Sequence, residues 1–147
     1  MTATGHAVIG AVIAAKVGNP ALAIPLALAS HLVADFIPHW DTATNRDKKG
    51  KKRVFYESVV DVLISFVFSF FLLSFLFPKT NLFYAFLIIL VAQSFDWLMA
   101  PYYFFNIHAF KWAYDFSKRF NTELDKPWGI INQVVILVFL LILAKIF

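Results

Sequence analysis

Four histidines and nine acidic residues are the side chains of this sequence best suited to bind a cation or move a proton. Their spacing is not random. When the apolar runs are threaded alternately up and down across a membrane, His6, His31, Asp35, His39, Asp41, Asp47, Glu57, Asp61, Asp96, His108, Asp115, Glu123 and Asp125 all fall at one end. Several lie inside apolar runs, where an ionisable group is costly and is a functional candidate by default. The densest stretch carries His31, Asp35, Pro38, His39 and Asp41 within eleven residues. Histidine and carboxylate together suit zinc, manganese or iron, and magnesium less well. The chain has no cysteine, so any metal must be held by nitrogen and oxygen.

Asp47, Asp115, Glu123 and Asp125 read as solvated loop residues. That leaves His6, His31, Asp35, His39, Asp41, Glu57, Asp61, Asp96 and His108 as candidates. One zinc takes four ligands, and a catalytic zinc only three from protein. The surplus predicts two or three ions bridged by carboxylates, an arrangement suited to in-line displacement at phosphorus. The metal set is His6, His31, Asp35, His39, Asp41, Glu57, Asp61 and Asp96. Asp61, Asp96 and His108 are the candidates for acid or base, and the residue types alone do not separate them.

The elements that must position these groups are apolar helices. The chain has 147 residues, 61% of them hydrophobic, with 18 phenylalanines. Soluble chains stand nearer 45–50% apolar. The expectation is one integral membrane domain over 1–147, all-α, with about five transmembrane helices and an interfacial amphipathic segment. The helices are predicted near 4–17, 21–36, 55–77, 81–100 and 128–147. Gly18-Asn19-Pro20, Pro38, Pro78 and Pro101 supply stop signals. The first helix is short for a span, about 20 Å at ~1.5 Å per residue. It has no basic segment ahead of it and is read as retained, not as a signal peptide. The stretch 102–127 mixes aromatics with Lys111, Lys118 and Arg119, which suits the headgroup layer.

Helix order then does the positioning. His6 opens the first helix, and the second returns to that end with His31 and Asp35. The third leaves it with Glu57 and Asp61, and the fourth returns with Gln93 and Asp96. His31 and Asp35 share a helix face, as do Glu57 and Asp61. Small residues at Gly10, Ala14 and Gly18, and at Ala23 and Ala27, would let the first two helices pack closely and bring His6 toward His31. The six basic residues between 46 and 53 and the four between 102 and 127 lie at the site end, against Lys16, Lys79 and Lys145 at the other. By the positive-inside rule, the N-terminus and the site face the cytoplasm of a multi-pass membrane protein. The basic cluster reads as a topogenic loop, and no nucleic-acid partner is expected.

Thr4-Gly5-His6 and the run from His31 to Asp41, with Glu57, Asp61 and Asp96, resemble the bacterial and archaeal family of membrane-bound, predicted metal-dependent hydrolases. That family is distantly similar to the zinc-dependent phospholipase C and single-strand nuclease superfamily. The resemblance implies a helical protein holding zinc and hydrolysing phosphate esters. The soluble relatives use a processed N-terminal tryptophan as a ligand. Met1-Thr2 does not supply one, and His6 stands as its substitute.

The first expectation is therefore a phospholipase-like hydrolase acting on a lipid phosphate ester or another phosphodiester, with membrane lipid as partner. The alternative is a non-catalytic protein that binds or transports divalent cations. A third is a structural subunit whose polar end binds a partner.

Overall fold

The computed structural model describes residues 1–147, and it is helical throughout, with no strand. The long elements are α1 (Ala3–Lys16), α2 (Pro20–Phe36), α4 (Lys51–Leu76), α5 (Leu82–Ala92), α6 (Ser94–Phe105) and α8 (Trp128–Ile146). Between them lie the short helices α3 (Arg46–Lys49) and α7 (Lys111–Lys118) and a 3-10 turn at His108–Phe110. Three helix starts, those of α1, α2 and α5, carry polar side-chain caps. Thr2 accepts from the Gly5 N–H, Asn19 from Ala21 and Asn81 from Tyr84.

A short apolar helix is at the centre. α1 buries nearly its whole circumference, from Gly5 to Ala14, against α2, α4, α5 and α8. A helix apolar on every side belongs in an interior. Its small residues allow this, but the close approach is to α5 rather than α2. A Cβ added at Gly10 would stand 2.9 Å from the Ala92 Cβ and 3.1 Å from the Ile89 Cα, whereas one at Gly18 would meet nothing. On α2, Ala23 and Ala27 are fully buried, while Leu22, Ile24 and Leu26 point outward.

Two helices, α4 and α8, are long and apolar enough to cross a membrane. The pair α5–α6, bent by 49°, makes a third if it counts as one span. α1 and α2, at 14 and 17 residues, are shorter than that test requires. The chain is thus an all-α protein with two to three candidate membrane helices, fewer than the five expected from apolar runs alone. The difference lies in length and burial: α1 is apolar because it is enclosed.

The helix expected over 81–100 also differs. It breaks at Gln93 and resumes through Pro101 to Phe105, ending at Asn106 in the left-handed region (φ 57°). The break has a local cause. Gln93 is buried, and its Nε2 donates to the Ala3 carbonyl (2.9 Å) and to Ser65 Oγ (2.8 Å). The side chain ties α5 to α1 and α4 at the point where the ladder is interrupted. The segment expected at the interface holds the end of α6, the 3-10 turn and the short α7, and its far end turns inward.

Candidate metal centre

Asp35 lies in the last turn of α2 and is buried. His6 Nε2 stands 3.1 Å from its Oδ1, His31 Nε2 3.2 Å from Oδ2, and His39 Nε2 3.8 Å from Oδ1. The Met1 amino group also lies against Asp35. The rings of His6 and His31 stack nearly parallel, with centroids 3.8 Å apart. His31 Nε2 is 3.8 Å from Asp96 Oδ1, and His39 Nε2 is 3.7 Å from Asp41 Oδ2. Ligand-type atoms of His6, His31 and Asp96 lie within 4.8 Å of one another. Three imidazoles and three carboxylates thus meet at the inner ends of α1, α2 and the α5–α6 break.

Local structure orients two of the rings. Because the chain breaks at Gln93, the Asp96 N–H donates to the Gln93 carbonyl rather than to that of Ala92. The freed Ala92 carbonyl accepts instead from His31 Nδ1, at 2.7 Å. His39 Nδ1 donates in the same way to the Ile37 carbonyl, at 2.8 Å. A ring that donates from Nδ1 to a carbonyl carries its lone pair on Nε2 when neutral, the tautomer and support typical of metal-binding histidine. In both rings Nε2 is the atom aimed at the carboxylates.

These atoms also test whether the residues fit a metal. His6 Nδ1, His31 Nε2 and His39 Nε2 are buried without a hydrogen-bond partner. His31 Nε2 is near Asp35 in distance, but the pair lacks hydrogen-bond geometry. Orphaned buried polar atoms are rare and call for an explanation. With metal–nitrogen bonds near 2.0–2.1 Å, ligand atoms on one tetrahedral zinc stand about 3.3 Å apart. The spacings around Asp35, 3.1 to 3.8 Å, bracket that value. The donor set, all imidazole and carboxylate, suits zinc, manganese or iron.

The 37–41 loop is held from outside its own helix. Thr122 N–H donates to the Asp35 carbonyl, His39 N–H to the Thr122 carbonyl, and Leu124 N–H to the His39 carbonyl (2.7 Å). A single parallel bridge pairs His39 with Glu123. α8 then seats the clamp. A Cβ at Gly129 would fall 2.0 Å from the Leu124 carbonyl oxygen and 2.7 Å from the Trp40 nitrogen, so only glycine fits there. Sequence reasoning assigned no role to Gly129 or to 122–124. A glycine opening a run of bulky apolar residues was the available signal.

Outside the apolar helices, two carboxyls respond to this setting. Burial would raise the Asp41 carboxyl, but the facing His39 imidazole and the nearby N-terminal charge hold it below its usual range. Asp41 Oδ1 accepts from Thr44 N–H and Oγ1, leaving Oδ2 toward His39. Glu123 is pushed up, by partial burial and then by the charge of Asp41.

Three expected site residues lie elsewhere. Asp61 caps α1: its carboxylate accepts from Ala3 N–H (2.7 Å), Thr4 N–H (3.2 Å) and Thr4 Oγ1 (2.6 Å). Both oxygens are engaged by the first turn of α1, which leaves this residue a positioning task. Glu57, one turn away, pairs with Lys49 (2.9 Å) and Arg53 (2.8 Å). It faces the basic loop because α4 turns it outward. His108 is exposed at the 3-10 turn, with its ring 5.9 Å from that of Tyr102. The structure thus brings together His6, His31, Asp35, His39, Asp41 and Asp96, and leaves Glu57, Asp61 and His108 outside that cluster, with Asp61 in the wall of a cavity that Asp41 and Asp96 also line.

No protein-family model, curated protein or solved structure matches this chain.

Proposed function

We propose that this chain is an integral membrane, metal-dependent hydrolase that cleaves a phosphate ester at the cytoplasmic membrane face. The observation that carries the reading is the pair of carbonyl-oriented imidazoles, His31 and His39, whose unpartnered Nε2 atoms converge on Asp35. His6, His31 and Asp96 would hold one divalent ion. Asp35, His39 and Asp41 would hold a second beside it. Zinc fits best, with manganese or iron as substitutes. Bound there, such ions polarise a phosphoryl oxygen and lower the pKa of water.

The remaining roles fall to the chain's own groups. Of the two cluster carboxylates that line the adjoining cavity, Asp41 is engaged by Thr44, so the free oxygen of Asp96 takes the proton from the incoming water. Asp61 and Gln93 fix the first turn of α1 and so hold His6 in register with His31. The clamp at 122–124 holds His39. The family resemblance and the excess of positive charge at this end support a phosphate ester and a cytoplasmic site. In the same reading α1 and α2 join the three apolar units in a five-helix bundle.

Carriage of the cation is the rival. Ser65 and Ser69 are buried along α4, but neither is charged, and the acidic residues and histidines are gathered at one end. Purified protein should contain divalent metal and hydrolyse a soluble phosphodiester, and His31→Ala and Asp35→Ala should lose both. Full metal content in both variants would refute the site. Metal flux into liposomes without hydrolysis would favour the rival.

A further inference from the structure

A cavity of about 330 Å³ adjoins the cluster, between α4 and α6. Its volume lies at the small end of the range for small-molecule sites. Asp41 and Asp96, both in contact distance of cluster imidazoles, form part of its wall. Most of the rest is apolar. Four of its lining residues are also exposed on the outer surface: Val59 and Leu63 on α4, and Trp97 and Phe105 on α6. The rim is therefore apolar and belongs to helices that are long and apolar enough, singly or as the bent pair, to cross a membrane. A water-borne ligand gains nothing from such a rim, whereas a chain already in lipid passes it without leaving an apolar medium.

We propose that this cavity takes one acyl chain of a membrane phospholipid, admitted sideways between α4 and α6, so that the lipid's phosphate lies at Asp96 and the cluster. An apolar slot that ends at a cluster suited to hold divalent cations matches the pairing of tail and phosphate in the ligand. The fate of the phosphate rests on the hydrolase reading above. Occupation of the slot does not.

The test is binding, with catalysis measured separately. Chelator-treated protein in detergent is titrated with phosphatidylglycerol bearing a pyrene-labelled acyl chain, and energy transfer from tryptophan is recorded, since Trp97 lines the cavity. Saturation at one lipid per chain is expected. Ala100→Phe on α6 and Ser58→Phe on α4 fill the cavity from opposite walls, and each should weaken binding at least tenfold while helicity, and metal content before chelation, stay at wild-type levels. On the unmutated protein, intact lipid should displace the probe at least tenfold better than its four-carbon-chain counterpart, and deacylated glycerophosphoglycerol should not displace it. Unchanged binding in the folded variants, or displacement by the deacylated headgroup as effective as by intact lipid, overturns the assignment. The two readings fail separately. Saturable, cavity-dependent binding without hydrolysis of any ester removes the hydrolase and keeps the slot. Hydrolysis of a soluble phosphodiester with cavity-independent lipid binding removes the slot and keeps the hydrolase.

Discussion

Asp35 and Glu57 are both carboxylates near the polar ends of apolar helices, yet they have opposite surroundings. Asp35 is buried and faces three imidazoles, two of them aimed by backbone carbonyls. Glu57 is partly exposed and faces Lys49 and Arg53, which reach it from the loop and from one turn earlier on its own helix. The first arrangement gathers imidazole lone pairs and three carboxylates, Asp35, Asp41 and Asp96, against a single formal cation, the Met1 amino group, and a divalent cation would balance it. The second is complete as it stands, because each charge already has its partner. Depth in the membrane does not mark a functional carboxylate. What sets Asp35 apart from Glu57 is burial beside other carboxylates that leave the local charge unbalanced.

Substitutions can break this contrast in order of expected size. Asp35→Ala removes the group on which three imidazoles converge, and metal affinity should fall by more than about 100-fold, beyond what loss of an outer-shell partner causes. Equilibrium metal competition against a chromogenic chelator reads this directly. Retention of wild-type affinity would mean the imidazoles hold no metal through Asp35.

Gly129→Ala places a methyl against the Leu124 carbonyl and the Trp40 nitrogen. The clamp on His39 must then shift, at about 3 kcal/mol. Thermal unfolding in detergent should show a clear drop, with weaker metal binding that follows the loop and not the rest of the bundle. Asp61→Ala removes three hydrogen bonds to the first turn of α1. About 1–2 kcal/mol of stability should go with them, as for other lost helix caps. Metal should still bind, roughly tenfold more weakly, because the displaced helix carries His6 and not a ligand at position 61. Complete loss of metal in a folded Asp61→Ala protein would restore Asp61 as a ligand. Glu57→Gln is the smallest change. An exposed pair contributes less than about 1 kcal/mol, and metal content should not move.

The part of the site that lies on one helical segment was legible. His31 and Asp35 are four apart and face the same centre, and Pro38 turns the chain so that His39 and Asp41 return to it. His6 and Asp96 followed from helix order. What remained hidden was made by backbone atoms. The Ala92 carbonyl that orients His31 exists as an acceptor only because the helix breaks at Gln93, inside an apolar run with no glycine or proline. The 122–124 clamp uses peptide groups alone, so its side chains carry no signal. Asp61 was ambiguous because a carboxylate near one helix end can cap another helix or bind a cation with the same residue type. The number of membrane crossings was not legible for a related reason. Apolar composition registers burial, and in α1 the burial is by protein.

The central claim is that the cluster around Asp35 holds divalent metal. Its most direct test is elemental analysis of protein purified without chelator, equilibrated with zinc, manganese or iron and freed of excess ion, beside His31→Ala and Asp35→Ala treated alike. The account predicts one to two equivalents of metal per wild-type chain and a loss of at least one in each variant, with helicity intact. Metal-free wild-type protein, or variants that carry as much metal as the parent, would contradict it.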